Sequence, residues 1–141
     1  MSTLYLGLDS STQSLSAVVI DLDAGRVVHD ISLNFDQVLP HYHTRDGVLR
    51  DAHPTVIHAP PLMWAEALDL MLDRLREAGV PMTDIAAISG SGQQHGSVYL
   101  NAKAATRLAR LNPAKPLVDQ LGDIFSRPTS PIWMDSSTSQ Q

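Results

Sequence analysis

The sequence predicts an α/β domain built on a mixed β-sheet, antiparallel at its start and joined later by a parallel strand. Three observations predict it. Two short apolar runs, residues 4–8 and 15–20, flank a polar loop, and a third, residues 26–35, follows an Asp- and Gly-rich turn. One strong helical pattern, residues 62–78, precedes another short apolar run, residues 85–89, so the chain crosses over between the two. At 141 residues, 43% hydrophobic and 18% charged, the composition suits one globular domain with its own core.

The first run, LYLGL, and the second, LSAVVI, carry the Val, Ile and Leu content of strands. Short connections make the first three strands an antiparallel meander. Residues 40–61 hold Pro40, Gly47, Pro54, Pro60 and Pro61 and four of the six histidines, His41, His43, His53 and His58. With few periodic apolar positions, this stretch reads as a long surface excursion. Trp64, Leu68, Met71, Leu72 and Leu75 then recur at helical spacing, and Gly79 and Pro81 stop the helix. The run IAAIS at 85–89 joins the sheet in parallel, and SVYL at 97–100 pairs with it as a second hairpin. Residues 102–111 read as a short helix or part of a loop, residues 117–125 are weakly helical between prolines, and residues 132–135 read as a short strand.

Several function classes are disfavoured. Net charge is −5 with no basic block, which argues against nucleic acid. There is no cysteine, which excludes disulfides and thiolate metal sites and is compatible with a cytoplasmic location. The opening MSTLYLGLDS lacks the basic start and long apolar region of a signal peptide, and no apolar run is long enough to span a membrane. His41-x-His43 is half of a metal site, but no further ligands follow at a recognisable spacing.

Three polar clusters follow strand-like runs, where open α/β sheets place ligands: residues 9–14, 90–96 and 135–141. The first, Asp9-Ser-Ser11-Thr12-Gln13-Ser14, is either a solvated turn or a cradle of N–H and hydroxyl donors for phosphate, with Asp9 placed to hold a hydrated Mg2+. Gly90-x-Gly92-x-x-His95 fails as a dinucleotide fingerprint, because His replaces the third glycine and no helix follows at once. It is either a tight turn or a close backbone approach in which Gln93, Gln94 and His95 bond a polyhydroxylated ligand. Trp133-x-Asp135 offers an aromatic face and a carboxylate, a combination that suits a sugar; equally, Trp133 is core and Asp135 a cap.

Together LGLDSSTQSLSAVVID, SGSGQQHGSVYL and SPIWMDSSTSQQ, with PPLMWAEALDLMLDRL between, resemble the FGGY carbohydrate kinases, and within them the xylulokinase branch. The resemblance runs over nearly the whole chain in the family's order. It implies an actin-like, ribonuclease-H-like fold, a mixed sheet with antiparallel first strands flanked by helices. It also implies transfer of the ATP γ-phosphoryl group to a sugar hydroxyl with Mg2+, most simply D-xylulose to D-xylulose 5-phosphate. By position, Asp9 would hold Mg2+, Thr12, Gln13 and Ser14 would lie by the phosphates, and Ser11 would shape the turn. Gln94 and His95 would bind the ketose, with Trp133 and Asp135 bordering its pocket. Family members are several times longer, so residues 1–141 are expected to be part of an N-terminal domain, with the catalytic base and adenine pocket in a C-terminal domain. The alternative is a non-catalytic sugar- or nucleotide-binding remnant of the same fold.

Overall fold

The structure is a computed structural model that describes residues 3–50 and 53–139. Along the chain run β1 (Leu4–Ser10), β2 (Ser14–Asp21), β3 (Arg26–Asn34), α1 (Phe35–Val38), a 3-10 turn (Pro40–Tyr42), β4 (Leu49–Arg50) and β5 (Ile57–Ala59). Then follow α2 (Pro61–Glu77), a second 3-10 turn (Met82–Asp84), β6 (Ile85–Gly92), α3 (Ala104–Leu108), α4 (Leu117–Leu121) and β7 (Ser130–Pro131).

The main sheet has the order β3-β2-β1-β6. The meander is antiparallel, β1 on β2 and β2 on β3, and β6 lies parallel on the free side of β1. Strand alternation sorts the faces. Leu4, Leu6, Leu15, Ala17 and Val19 point to one face and are buried there under α2. Gly7, Asp9, Ser16 and Val18 point to the other, open face. Fully buried Leu6, Phe35, Met63, Met71 and Leu75 anchor the core, each worth about 1.5–3 kcal/mol of burial.

Helix α2 starts with Pro61 at its first position and ends in a left-handed glycine, Gly79 at φ +82°. There Gly79 N–H donates to the Arg76 carbonyl (2.9 Å) and Val80 N–H to that of Leu75 (3.0 Å), as the Gly and Pro punctuation predicts. Its buried stripe is Met63, Ala67, Met71 and Leu75, while Trp64, Leu68 and Leu72 sit at the margin. The pattern therefore predicts the helix correctly but centres its face about one residue off, because the small Ala67 carries little hydrophobic signal.

Three expectations change. Residues 97–100 do not pair with β6; Ser97 N–H donates to the Pro131 carbonyl, Ser126 N–H to that of Tyr99, and Leu100 bridges Phe125. The short strand falls at Ser130–Pro131, and residues 132–135 form a turn closed by Asp135 N–H on the Ile132 carbonyl. Residues 40–61 are more than a surface excursion: β4 pairs with β5 and β5 with β7 in a second sheet, and Val48 and Ala59 are buried. Each change rests on a partner far away in sequence, which local patterning does not report.

Candidate functional site

Because β1 and β6 are parallel and adjacent, they end side by side, and β2 begins at the same edge. In register, Asp9 lies between Ser16 of β2 and Ser91 of β6, all on the open face. The Ser91 hydroxyl donates to Asp9 Oδ1, and Asp9 Oδ2 takes no bond among the described residues. Gly7, Asp9, Ser16, Ser89 and Ser91 line an open cavity of about 290 Å3.

The turn from β1 to β2 is held from within. Ser11 N–H donates to the Ser14 carbonyl (2.9 Å), Ser14 N–H donates to Ser11 Oγ (3.3 Å), and the two hydroxyls lie 3.0 Å apart. Ser11 and Ser14 hydroxyls thus shape the turn. The backbone N–H groups of Thr12 and Gln13 meet no acceptor among the described residues. Paired open N–H groups in a tight turn form an anion-binding concavity.

A second segment braces that turn. The Asp36 carboxylate accepts from Thr44 Oγ1 (2.6 Å) and from the N–H groups of Asp46 (2.6 Å) and Gly47 (3.2 Å). Burial opposes its ionisation, but these three donors outweigh burial and hold the carboxyl below its usual range. Gly47, at φ +77°, is thereby pressed against the turn: a Cβ there would lie 1.9 Å from the Thr12 carbonyl oxygen.

The loop after β6 joins the same edge. Gln93 N–H donates to the Ser10 carbonyl (3.0 Å), extending the β1–β6 pairing. Thr12 Oγ1 donates to Gln93 Oε1 at 3.5 Å and accepts from Trp133 Nε1–H at 3.0 Å. Three distant loops therefore meet at one threonine hydroxyl. Gln94 and His95 are exposed, with no side-chain bond among the described residues. His95 has φ +59°, a left-handed conformation rare outside glycine that clusters at ligand sites.

Asp135 sits differently. Its side chain is only 8% exposed. Oδ2 accepts from Ile57 N–H (2.9 Å) and lies 3.3 Å from His58 Nε2, while Oδ1 accepts from the Ser137 N–H and hydroxyl. Burial opposes its ionisation, and the Ser137 and Ile57 donors together with His58 outweigh it, so its carboxyl is held below the usual range. It fastens the turn after β7 to β5. His41 Nε2 and Tyr42 Oη both reach Glu66 Oε2 on α2, at 3.0 and 2.7 Å. Among the described residues no three His, Asp or Glu side chains gather as a metal cage.

The structure thus pairs Asp9 with Ser91 on the open face, joins Thr12 to Gln93 and Trp133 beyond the same strand ends, leaves Gln13, Gln94 and His95 exposed nearby in the chain, and ties Asp135 to β5. Ser91, Gly47, Asp36 and His58 escape a reading of the sequence; the Asp46-Gly47 doublet marks a turn, but nothing in it says what the turn touches. The last residues of SPIWMDSSTSQQ, Gln140 and Gln141, lie outside the described residues. The donor set fits hydrated Mg2+, which keeps most of its waters and needs one or two carboxylates beside phosphate oxygens. Asp9, exposed and with one oxygen open, is such a carboxylate.

No family model matches the chain. Curated relatives do. It is 44% identical over 144 residues to the xylulose kinase of Saccharomyces cerevisiae, covering 100% of this chain and 24% of the relative. To xylulose kinase 2 of Arabidopsis thaliana it is 46% identical over 142 residues, covering 99% and 25%. A crystal structure of a "xyloylose kinase" from Brucella ovis superposes with a TM-score of 0.64 at 26% identity, over 95% of this chain and 22% of that one. The fold is the actin-like, ribonuclease-H-like one, and the chain belongs to the FGGY carbohydrate kinases. The two curated relatives named above are xylulose kinases, and the chain spans about a quarter of their length.

Proposed function

We propose that this chain supplies the phosphate-facing and much of the sugar-facing wall of an ATP-dependent kinase that converts D-xylulose to D-xylulose 5-phosphate. The observation that carries the reading is the meeting of the Asp9–Ser14 turn with the Gln93–His95 loop and Trp133 at one sheet edge. Xylulose kinase relatives at 44% and 46% identity support the choice of sugar.

In this reading the sugar 5-hydroxyl oxygen bonds to the γ-phosphorus, the bond from that phosphorus to the ADP oxygen breaks, and the hydroxyl proton passes to a base. Such transfers depend mainly on alignment and charge neutralisation. Open N–H groups of Thr12 and Gln13 receive phosphate oxygens, while Ser11 and Ser14 keep the turn in shape. Asp9 would hold a hydrated Mg2+, and Ser91 orients that carboxylate. The metal, when bound, neutralises the phosphates. Gln94 and His95 bond the ketose, the Trp133 ring covers a C–H face, and Asp135 fixes the border of the pocket. We assign the base and the adenine pocket to a C-terminal domain outside these residues, and the setting to the cytoplasm.

Coupled ADP release with a panel of sugars tests the assignment. D-Xylulose should bind, and the 141-residue stretch alone should turn over little or none, since a missing base costs about 10²–10⁴-fold. Kinase-rate turnover of D-xylulose by this stretch alone contradicts the division of labour, and preference for another sugar by the kinase completed with its C-terminal domain contradicts the substrate.

A further inference from the structure

We propose that the Thr12 hydroxyl is a switch linking phosphate binding to sugar binding, through Trp133 on one side and Gln93 on the other. The inference rests on the kinase reading above and adds to it a coupling between the two ligands. A threonine hydroxyl has one proton and two lone pairs. Here Trp133 Nε1–H donates to Thr12 Oγ1 at 3.0 Å, and the hydroxyl's own proton points to Gln93 Oε1 at 3.5 Å. The first bond is ordinary in length and the second is long, so the second is the one given up.

Thr12 also bears one of the two open N–H groups of the turn, so a phosphate oxygen seated there lies beside its hydroxyl. The proton cannot serve Gln93 and phosphate together. A charged phosphate oxygen is the stronger acceptor, and it takes the proton. Gln93 Oε1 is then left to accept a sugar hydroxyl at the start of the Gln94–His95 loop. Trp133 is unaffected as a donor, because its N–H meets a lone pair on Thr12 in both arrangements. It holds the Thr12 oxygen in place while the proton turns. Gly47, packed on the Thr12 carbonyl, holds the backbone side still. Phosphate binding therefore strengthens sugar binding, and linkage requires the reverse by the same factor.

The test is calorimetric titration of D-xylulose into the kinase completed by the C-terminal domain assigned above, alone and saturated with MgADP, for wild type, Thr12→Val, Thr12→Ser and Trp133→Phe. ADP lacks the γ-phosphate, which limits direct contact between the two ligands. The expected result is D-xylulose binding tightened at least about fivefold by MgADP in wild type, within the usual range of linked sites. The tightening should fall to near one in Thr12→Val, return in Thr12→Ser and weaken in Trp133→Phe. A role limited to structure would lower both affinities and leave their ratio unchanged. An unchanged ratio in Thr12→Val, or no tightening in wild type while both ligands bind, overturns the switch and leaves the kinase reading intact. Failure of either ligand to bind wild-type protein overturns both.

Discussion

Gly47 packs on the backbone of Thr12, and that contact sets the shape of the β1–β2 turn. A methyl group at Gly47 would meet the Thr12 carbonyl at 1.9 Å and would also sit at φ +77°. Gly47→Ala should therefore cost about 1–3 kcal/mol of stability, read from urea unfolding, and weaken phosphate binding along with it. Unchanged stability would mean that the loop swings away freely. Asp36 fastens the same loop, and its effect follows pH. Its carboxyl is held below the usual range when folded, despite burial, by Thr44, Gly47 and Asp46. An unfolded Asp titrates near about 3.9. The stabilisation is thus complete above that value and lost as pH falls through the lower folded value. Wild type should lose stability in the acid limb below about pH 4 more steeply than Asp36→Asn, in urea midpoints measured from pH 7 downward. Parallel acid limbs would contradict it.

At the scale of elements, α2 decides how firmly the sheet is held. Met71 is fully buried and neighbouring Leu72 only partly so. Met71→Ala should cost about 2–5 kcal/mol, and Leu72→Ala clearly less, by chemical denaturation. Equal costs would move the buried stripe back to where the hydrophobic pattern centres it. The meander, α2 and parallel β6 are legible in the sequence because each announces itself within one window: alternation, helical spacing, then an apolar run after a Gly–Pro stop. The sheet of β4, β5 and β7 is not, because His58 pairs with Pro131 across about half of the chain. The site divides in the same way. Asp9, Thr12, His95 and Trp133 stand out as chemical types after strand ends. That Thr12 bonds residues 81 and 121 positions away appears only in three dimensions. Asp135 is legible as a carboxylate beside a tryptophan, yet its oxygens are committed to Ile57 and Ser137, a role that no local spacing encodes.

Across the whole molecule, the two sides of the main sheet are unequal. Helix α2 packs over β2 and β3, leaving Ile88 of β6 62% exposed although it shares the face of buried Leu6. Strand β6 also ends the sheet and bears no charged side chain, whereas β3 at the opposite end has Arg26 and Asp30. Bare edges and exposed apolar faces favour association. Sedimentation of the 141-residue chain should therefore depend on concentration, and Ile88→Lys should reduce that dependence. A monomer at every concentration would show that this side is protected.

A kinase built on this chain needs the β1–β2 turn to receive phosphate with Asp9 holding magnesium. Backbone amide NMR of the chain, titrated with pyrophosphate with and without Mg2+, asks this directly. The expected result is Mg2+-dependent shifts confined to residues 9–14 and 91–93, and lost in Asp9→Asn. Shifts that gather instead around α3, at Lys103, Arg107 and Arg110, or that survive Asp9→Asn unchanged, would contradict it.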